Sequence, residues 1–298
     1  SSRSTHHSQV GFIDPYATPE SEKAGIDVRL SQLAAKDEQG VPHVPLLDAK
    51  TGKLEYVPVV ALKNKVIAFA NQEMTKGNVD ALKHGEVVKA KPSEIDYIHP
   101  HINMQYSLST NSMPFMDGAQ GNRIIMSSKM QSQAVPLVTR ENPLVTSESM
   151  FGKKYKSMDE EIANYILPKS PENGEVTNID ADFIYIVDKA KKIHKVPYER
   201  DFPLASKTYI DTELKIKKGD IVKKGQILGD NNFTKDGKLA LGKNLDVAYL
   251  SYYGKNSNDG MIVSETGAKK LTSMHMYKKN SFVDDQTVIN KNKYITNY

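Results

Sequence analysis

The sequence predicts a mainly β fold with some helices. Strand signals recur from residue 41 to residue 71, and apolar and polar residues alternate at 65–71 and 208–216. Gly52 and Gly219 lie in turns beside these strands. Such alternation is typical of strands that bury one face. A helical stripe stands out at residues 120–133, where side chains of similar kind recur every three or four positions.

Length and composition limit the kind of protein this can be. A chain of 298 residues can bury one large core or two modest ones. The absence of cysteine excludes disulfides and Cys-ligated zinc or iron–sulfur centres, and no apolar run approaches the roughly 18 residues of a transmembrane helix. The 40 basic and 36 acidic residues leave a formal charge of +4, which alone predicts no nucleic-acid partner. Two lysine-rich runs, 189–195 and 215–224, are typical of solvated surface.

The first 110 residues combine one predicted helix with several predicted strands. The helix is expected at residues 26–35, because Ile26, Leu30 and Leu33 would share one side of it. Beyond it the pattern changes to that of strands. They are expected at residues 44–47 and 54–60, around a turn at 48–53, and at 65–71.

The second half alternates helical and strand patterns. A helix at residues 120–133 would carry Arg123, Met126, Met130 and Gln133 on one stripe. Its Arg and Gln argue against a pure core role, because buried guanidinium and amide groups need partners. Residues 157–176 are polar and poorly patterned, which indicates surface. Further strands are expected at 183–187, 208–216 and 272–278, and a helix capped by Ser264 at 265–271.

Residues 239–265 are the stretch around which the rest of the chain is organised. Residues 244–250 predict a strand buried on both faces, and residues 261–264 predict a short apolar run that returns to the core. The polar loop between them would hold Asn258 and Asp259 at the lip between two strands, where side chains stay exposed and metal ligands are common.

Three blocks of the sequence carry long, ordered motifs. Residues 11–25 read GFIDPYATPESEKAG, residues 111–136 read NSMPFMDGAQGNRIIMSSKMQSQAVP, and residues 239–265 read LALGKNLDVAYLSYYGKNSNDGMIVSE. The first block resembles G-x-V-x-P-x-E-TPEGPNIG. The second resembles S-L-I-P-F-L followed by NRALMG-x-NMQRQAVP. The third resembles LALG-x-N-x-x-VAF followed by N-x-E-D and I-x-VSE. These are segments of the β subunit of multisubunit DNA-directed RNA polymerases. The resemblance extends from Gln9 to about Lys279.

The resemblance implies the central, catalytic-core part of a β subunit, in a split form as in the RNA polymerases of giant bacteriophages. Residues 1–110 would form a fork and lobe-connecting strand-and-loop segment. Residues 111–280 would form barrel-like modules of a double-psi barrel core, with an inserted surface region at about 157–176. Residues 281–298 would be a polar tail.

The resemblance also implies partners and a location. The partners are β′-like subunits, the remaining part of β, template DNA, nascent RNA and nucleoside triphosphates, and no membrane. The expected location is the cytoplasm of a bacterial host cell, with the virion as a second location.

The implied activity is nucleotide addition, a phosphoryl transfer that uses two Mg²⁺ ions. The sequence has no D-F-D-G-D-like cluster, so the principal Mg²⁺ ligands are expected on the β′-like partner. The resemblance gives Arg123 and Asp259 catalytic roles. A non-catalytic assembly subunit of the same kind of complex is the alternative.

Four residues are expected to contact substrate. Arg123 matches an arginine that reaches the triphosphate, and a planar, permanently charged guanidinium suits phosphate oxygens. A structural ion pair is its alternative role. Gln133 matches a residue near the RNA phosphates, with packing at a helix end as its alternative. Lys129 and Glu20 complete the set, and Glu20 has a structural role as its alternative.

The loop residues Asn258 and Asp259 are the expected metal contacts. Asp259 matches the second acid of an E-D pair that approaches the second Mg²⁺ through water. Stabilising its own turn is the alternative, since Asp is a common turn former. Asn258 stands where the family has Glu, which removes one negative charge and leaves a weak ligand.

Two further motifs favour ordinary explanations. His6-His7 and the pair His99 and His101 have metal-like spacing, yet no nearby acid or Cys set completes a site. Residues 219–230, GDIVKKGQILGD, resemble the turn of biotinyl or lipoyl carrier domains. The acceptor-lysine hairpin of those domains does not follow here.

Overall fold

The computed structural model describes residues 9–19, 22–75, 77–152 and 154–277 of the chain. Short strands dominate these ranges, which confirms the predicted mainly β fold with some helices. The elements up to residue 132 are β1 (Ile13–Asp14), β2 (Arg29–Leu30), β3 (Ala35–Lys36), β4 (Pro42–Asp48), β5 (Leu54–Pro58), β6 (Val66–Ala68), β7 (Val79–Lys83), β8 (Glu86–Ala90), β9 (Tyr97–Ile98), α1 (Leu108–Asn111) and α2 (Gly121–Ser132).

The remaining elements follow a third helix. They are α3 (Met158–Ile166), β10 (Gly174–Ile179), β11 (Phe183–Asp188), β12 (Ile193–Pro197), β13 (Phe202–Pro203), β14 (Tyr209–Ile210), β15 (Thr212–Leu214), β16 (Ile221–Val222), β17 (Gly229–Asn231), β18 (Thr234–Lys235), β19 (Lys238–Leu239) and α4 (Glu265–Lys270). Within the described ranges, no helix has the length and apolar character needed to span a bilayer.

Seven strands of the first half form one sheet. Its order is β3-β4-β9-β6-β7-β8, and β5 pairs with β4 beside this path. The pairing of β6 with β9 is parallel, and the other pairings in the sheet are antiparallel. Apolar side chains pack on both faces of the sheet. Two clusters result: Val44, Leu46, Val57, Ile67, Leu82 and Met104 in one, and Val66, Ala68, Val79, Ala81, Ala90 and Ile95 in the other.

The hairpin of β4 and β5 forms where it was predicted. Asp48 closes its turn, because Asp48 Oδ1 accepts hydrogen bonds from the N–H groups of Lys50 at 3.0 Å and Thr51 at 2.7 Å. The Thr51 N–H is the largest cause that holds the pKa of Asp48 below its usual value. Gly52 then adopts a φ of +67°, which a residue without a Cβ tolerates.

Buried Asp14 ties the separate two-stranded sheet of β1 and β2 to the helices that follow it. Asp14 is almost completely buried, and its Oδ2 accepts hydrogen bonds from the Ser107 N–H at 2.7 Å and the Thr110 hydroxyl at 2.6 Å. The Thr110 hydroxyl lies 2.9 Å from the hydroxyl of Ser128 on α2. A chain of polar contacts therefore holds α1 and α2 against the end of β1.

The second half contains smaller antiparallel sheets. Four strands follow the order β12-β11-β10-β16, and β13–β14, β15–β17 and β18–β19 form pairs. The core of the four-stranded sheet holds Val176, Ile184, Ile186, Val222 and Leu228. The strands predicted at 183–187 and 208–216 are present as β11, β14 and β15. The barrel-like modules and the domain limits at residues 110, 111 and 280 stay predictions.

The helix predicted at residues 26–35 is wrong. β2 pairs with β1, with Ile13 opposite Leu30, and the Ser31 N–H donates to the Phe12 carbonyl oxygen at 3.0 Å. The side chains of Ile26 and Leu30 are exposed, whereas Leu33 packs against the cluster that contains Leu46, so the three residues share no buried face. Pairing with β1 therefore determines the local structure of this segment. The spacing of its apolar residues carries no information about that pairing.

The surface assignment of residues 157–176 needs correction. Ser157 caps α3, because its Oγ accepts a hydrogen bond from the Glu160 N–H at 3.3 Å. The helix buries Met158, Glu161 and Ala163. The polar composition concealed this, because the buried Glu161 carboxylate is satisfied by hydrogen bonds from side chains distant in sequence, such as Gln32 at 2.5 Å.

The buried strand predicted at residues 244–250 is also wrong, and so is the apolar run at 261–264 that was expected to enter the core. Both segments are irregular, and the exposed fractions are 98% for Tyr249 and 89% for Met261. Among the described residues no strand pairs with these segments, so their apolar side chains have no core to enter.

The structure confirms the predicted helix α4 and shortens the strand predicted after it. The Ser264 Oγ caps α4 by accepting a hydrogen bond from the Gly267 N–H at 3.0 Å. Of the strand predicted at 272–278, the described part has only an isolated bridge between Leu137 and Ser273. The polar tail at 281–298 and the pair His6-His7 lie outside the described residues.

Candidate functional site

Helix α2 presents the predicted substrate-binding side chains on its outer face. Ile124 and Ser128 are its buried residues, and Ser128 is fixed through Thr110 to the Asp14 network. The side chains left exposed include those of Arg123, Lys129 and Gln133. The predicted helix is therefore confirmed in position. Its Arg, Met and Gln stripe faces outward, with Met130 64% exposed.

A cleft of about 630 Å³ separates α2 from the first motif block. Thr18 stabilises the far wall, because its hydroxyl donates to the Asp27 carbonyl oxygen at 2.8 Å and accepts from the Gly25 N–H at 2.9 Å. The cleft is lined by Thr18, Pro19, Ala24, Gln120, Asn122, Arg123, Ile125 and Met126. The structure thus brings two of the three motif blocks, 11–25 and 111–136, to one concave surface.

Arg123 reaches into this cleft without a charged partner among the described residues. Its Nη1 lies 3.5 Å from the Met126 sulfur, and no carboxylate within the described ranges forms an ion pair with it. A guanidinium that is exposed and not paired there has donors available for a ligand. Glu20, the other predicted contact in this area, lies outside the described residues.

Lys129 and Gln133 lie at the C-terminal end of α2. The Gln133 N–H donates to the Lys129 carbonyl oxygen at 3.2 Å, and the Ser132 hydroxyl donates to the same oxygen at 2.7 Å. These bonds satisfy backbone carbonyls that a helix end otherwise leaves free. Both named side chains remain exposed, and a lysine in the last turn complements the helix dipole.

A second junction joins the chain after α2 to the third motif block. Lys243 Nζ lies 2.6 Å from Glu141 Oε1, and the Asn244 amide donates to Glu141 Oε2 at 3.2 Å. The Leu137 N–H donates to the Leu241 carbonyl oxygen at 2.8 Å. The Lys243 ammonium is the main cause that lowers the pKa of Glu141 to about 2.

Sequence reasoning missed this Glu141–Lys243 pair. The two residues are 102 positions apart, and opposite charges at such separation give no local signal. The pair borders a cavity of about 320 Å³ that also includes Gln131 of α2 and Asp159 of α3. Burial raises the pKa of Asp159 to about 6.

The loop before α4 is organised by Asn256. Its Oδ1 accepts a hydrogen bond from the Tyr252 N–H at 2.9 Å, and its Nδ2 donates to the Leu250 carbonyl oxygen at 2.6 Å. Asn258 has a φ of +55°, a left-handed conformation that Asn adopts more readily than most residues. Asp259 is exposed, and no hydrogen bond within the described residues involves its carboxylate. Asn256, and not Asp259, therefore stabilises the turn.

The predicted metal contacts Asn258 and Asp259 form no bond with α2 in the described part of the chain. No hydrogen bond or ion pair within the described ranges joins Asn258 or Asp259 to the helix. No group of three or more His, Asp or Glu side chains in the described part of the chain could hold a metal ion. His101 has a structural role, because its Nδ1 accepts a hydrogen bond from the Asn103 N–H at 3.1 Å.

The comparisons with known proteins concern nearly the whole chain. No family model matches it. It is 29% identical over 286 residues to the DNA-directed RNA polymerase subunit beta of Thermus thermophilus and 30% identical over 285 residues to that of Thermus aquaticus, each match covering 92% of this chain and 25% of the relative. It is 31% identical over 304 residues to that of Mycoplasmopsis pulmonis, covering 96% of this chain and 24% of the relative.

The chain spans about a quarter of the length of the curated relatives it matches. A continuous match that covers 92% of the chain necessarily includes the motif blocks 111–136 and 239–265, helix α2 and the Glu141–Lys243 junction. Over nearly its whole length, the chain is therefore similar to one region of the β subunit of bacterial DNA-directed RNA polymerase.

Proposed function

We propose that this chain is a subunit of a DNA-directed RNA polymerase and contributes to an active site completed by a β′-like partner. Its contributions are contacts with the nucleoside triphosphate, the second Mg²⁺ and the RNA–DNA hybrid. The observation that carries this proposal is the exposed face of α2, where Arg123 lies beside the first motif block without a carboxylate partner among the described residues.

The environment of Arg123 favours a phosphate contact over a structural ion pair. A structural role would require a carboxylate or a set of carbonyl oxygens around the Arg123 guanidinium. Among the described residues, the guanidinium instead has one weak polar contact, with the Met126 sulfur at 3.5 Å. The helix itself is held by buried groups on the opposite face. As far as the described residues are concerned, Arg123 is therefore available to a ligand in the cleft while α2 stays fixed, and positioning a triphosphate requires such a fixed contact.

The loop at residues 252–260 supports a metal role for Asp259 in the same way. Asn256 carries the hydrogen bonds that shape the turn, and the Asp259 carboxylate, which no described residue engages, is available to a Mg²⁺-bound water. Mg²⁺ keeps several waters in protein sites and is often reached through them. We infer that the principal Mg²⁺ ligands come from the partner and that Asn258 contributes at most a hydrogen bond to such a water.

The exposed apolar side chains of residues 245–263 support the need for partner chains. Val247 and Tyr249 have exposed fractions of 71% and 98%, and exposed apolar side chains grouped in one segment are typical of a protein–protein interaction surface. The proposed partners are β′-like subunits, the remaining part of a split β, template DNA and nascent RNA. The proposed location is the cytoplasm of a bacterial host cell or the virion of a giant bacteriophage.

A non-catalytic assembly subunit is the second candidate. One observation favours it: Asn258 occupies the position where the resembled family has Glu, so the loop holds one acid instead of two. The two candidates differ in what Arg123 does. In the active subunit its loss weakens nucleotide use, and in the assembly subunit it leaves nucleotide use unchanged.

The test is made on the assembled enzyme purified with its partner chains. Arg123→Ala removes one charge-assisted contact, which costs roughly 1.5–3 kcal/mol, or about ten- to a hundredfold in kcat/KM for nucleotide addition. Arg200→Ala is the matched control, because Arg200 is also exposed and lies outside the motif blocks. Normal assembly with unchanged kcat/KM in Arg123→Ala would refute the catalytic proposal and leave the assembly subunit.

A further inference from the structure

One cavity lies inside the seven-stranded sheet module, away from α2. Its volume is about 570 Å³, within the roughly 300–1,000 Å³ of small-molecule sites. The walls are mainly apolar and come from the strands β4, β6 and β7, the segment before β1 and a 3-10 helix at Val59–Leu62. The apolar side chains that line it include Phe12, Val44, Leu46, Val59, Ile67 and Leu82.

His99 gives this apolar cavity a polar group. The residue lines the cavity and is only 5% exposed. Its backbone N–H donates to the Ala68 carbonyl oxygen at 2.9 Å, and its ring packs against Phe69 with 5.8 Å between centroids. No hydrogen bond to the ring nitrogens comes from another described residue. The ring nitrogens are not among the fully enclosed side-chain atoms that lack a partner in the described part of the chain, so solvent or a ligand in the cavity can reach them.

The chemical state of the His99 ring limits what could bind it. Burial lowers the pKa of His99 to about 4, so the imidazole is neutral near pH 7. A neutral imidazole has one N–H donor and one acceptor nitrogen. A ligand with a hydroxyl can satisfy either nitrogen, whereas a cation gains no charge partner in these apolar walls.

The mouth of the cavity is open to solvent and basic. Lys63 and His84 line it and are exposed. Lys65 also lines it, but its ammonium is held by Asp96 at 3.1 Å. The cavity therefore has the organisation of a small-molecule site, with an accessible entrance, an apolar body and a single buried polar anchor.

We propose that this cavity binds a small, mainly apolar molecule that carries one hydrogen-bonding hydroxyl, with the His99 ring as its partner. The site is separate from nucleotide addition and does not rest on the proposed function. A bound molecule of this class buries its apolar surface against β4, β6 and β7. It also forms a hydrogen bond to the His99 ring, which no described residue provides.

The first test uses 2-naphthol as the probe and the full chain as the protein. Val59→Trp fills the cavity, and Val60→Trp is the matched control on the same 3-10 helix, since Val60 is 73% exposed and does not line the cavity. Fluorescence titration is expected to give saturable 1:1 binding to the wild type and to Val60→Trp, and at least tenfold weaker binding to Val59→Trp. Equal affinity in all three proteins, or binding that does not saturate, overturns the proposal.

The second test isolates the hydrogen bond. His99→Phe keeps a ring of similar size, and 2-methylnaphthalene replaces the probe's hydroxyl with a methyl group. We expect His99→Phe to bind 2-naphthol about five- to tenfold more weakly and to bind 2-methylnaphthalene with unchanged affinity. Unchanged 2-naphthol affinity removes His99 from the site. A parallel loss of both probes shows a packing change and likewise contradicts the proposed hydrogen bond.

Discussion

The charge of the loop at Asn258 and Asp259 decides how strongly the proposed second Mg²⁺ is attracted. A carboxylate acting through one bound water lies roughly 5 Å from the ion, where one charge attracts a divalent cation by about 1.7 kcal/mol at the dielectric constant of water. Salt reduces this value. Asp259→Asn should therefore raise the Mg²⁺ concentration for half-maximal RNA synthesis about three- to tenfold.

Asn258→Glu tests the same reasoning in the opposite direction. Restoring the second acid should lower the half-maximal Mg²⁺ concentration by a similar factor. The substitution also places Glu at a φ of +55°, which costs about 1–2 kcal/mol of local strain. Asn258→Gln is the matched control, because it brings the same strain without the charge.

The assay is a Mg²⁺ titration of elongation rate by the assembled enzyme on one nucleic-acid scaffold. Asp182→Asn, at an exposed position between β10 and β11, controls for loss of one surface charge. Superimposable curves for the wild type, Asp259→Asn and Asn258→Glu would refute the metal role. A shift that Asn258→Gln reproduces would mean that strain, and not charge, causes the effect of Asn258→Glu.

Three further outcomes follow from the structure. The isolated chain should incorporate no nucleotide, and robust RNA synthesis by it, with contaminating polymerase excluded, would contradict the need for a partner. Leu46→Ala should lower the free energy of unfolding by about 2–5 kcal/mol, because Leu46 is fully buried. Leu54→Ala, at an exposed position, should change the free energy of unfolding little. Equal denaturation midpoints for the two variants would show that Leu46 does not belong to the core. Burial raises the pKa of Asp159 to about 6, so the folded state binds more protons than the unfolded state, and this group's contribution to stability falls as pH rises from about 4 to 6. Asp159→Asn should therefore raise Tm at pH 7 more than at pH 4, and equal shifts at both pH values would exclude that titration.

Sequence patterns within short segments correctly predicted those helices and strands that are stabilised by contacts between residues close in sequence. The β4–β5 hairpin is determined by the Asp48 turn and by alternation within a short stretch, and α2 follows from a helical stripe. Residues 26–35 were mispredicted because β2 depends on β1 for its pairing. Spacing within one segment cannot report a partner elsewhere in the chain.

The same distinction holds for the candidate site. Arg123, Lys129 and Gln133 could be named from one motif on one helix, and the structure leaves all three exposed. The Glu141–Lys243 pair could not be named, because it joins residues 102 positions apart. Glu161 was missed for a similar reason, since its buried carboxylate accepts hydrogen bonds from Gln32 and Ser149, each at 2.5 Å.

The misprediction at residues 244–250 has a different physical origin. The pattern there is that of a strand buried on both faces, yet Tyr249 is 98% exposed. An apolar run that the chain's own described residues do not cover loses about 25 cal/mol for each Å² of apolar surface left in water. Under the proposed function, a partner chain supplies the missing neighbours, and the sequence pattern reflects burial in the assembly. Asn258 and Asp259 lie eight and nine residues after the end of this run. Under the proposed function, the contact that covers residues 244–250 therefore also determines where the two side chains stand, and assembly and metal attraction are coupled through one short segment of chain.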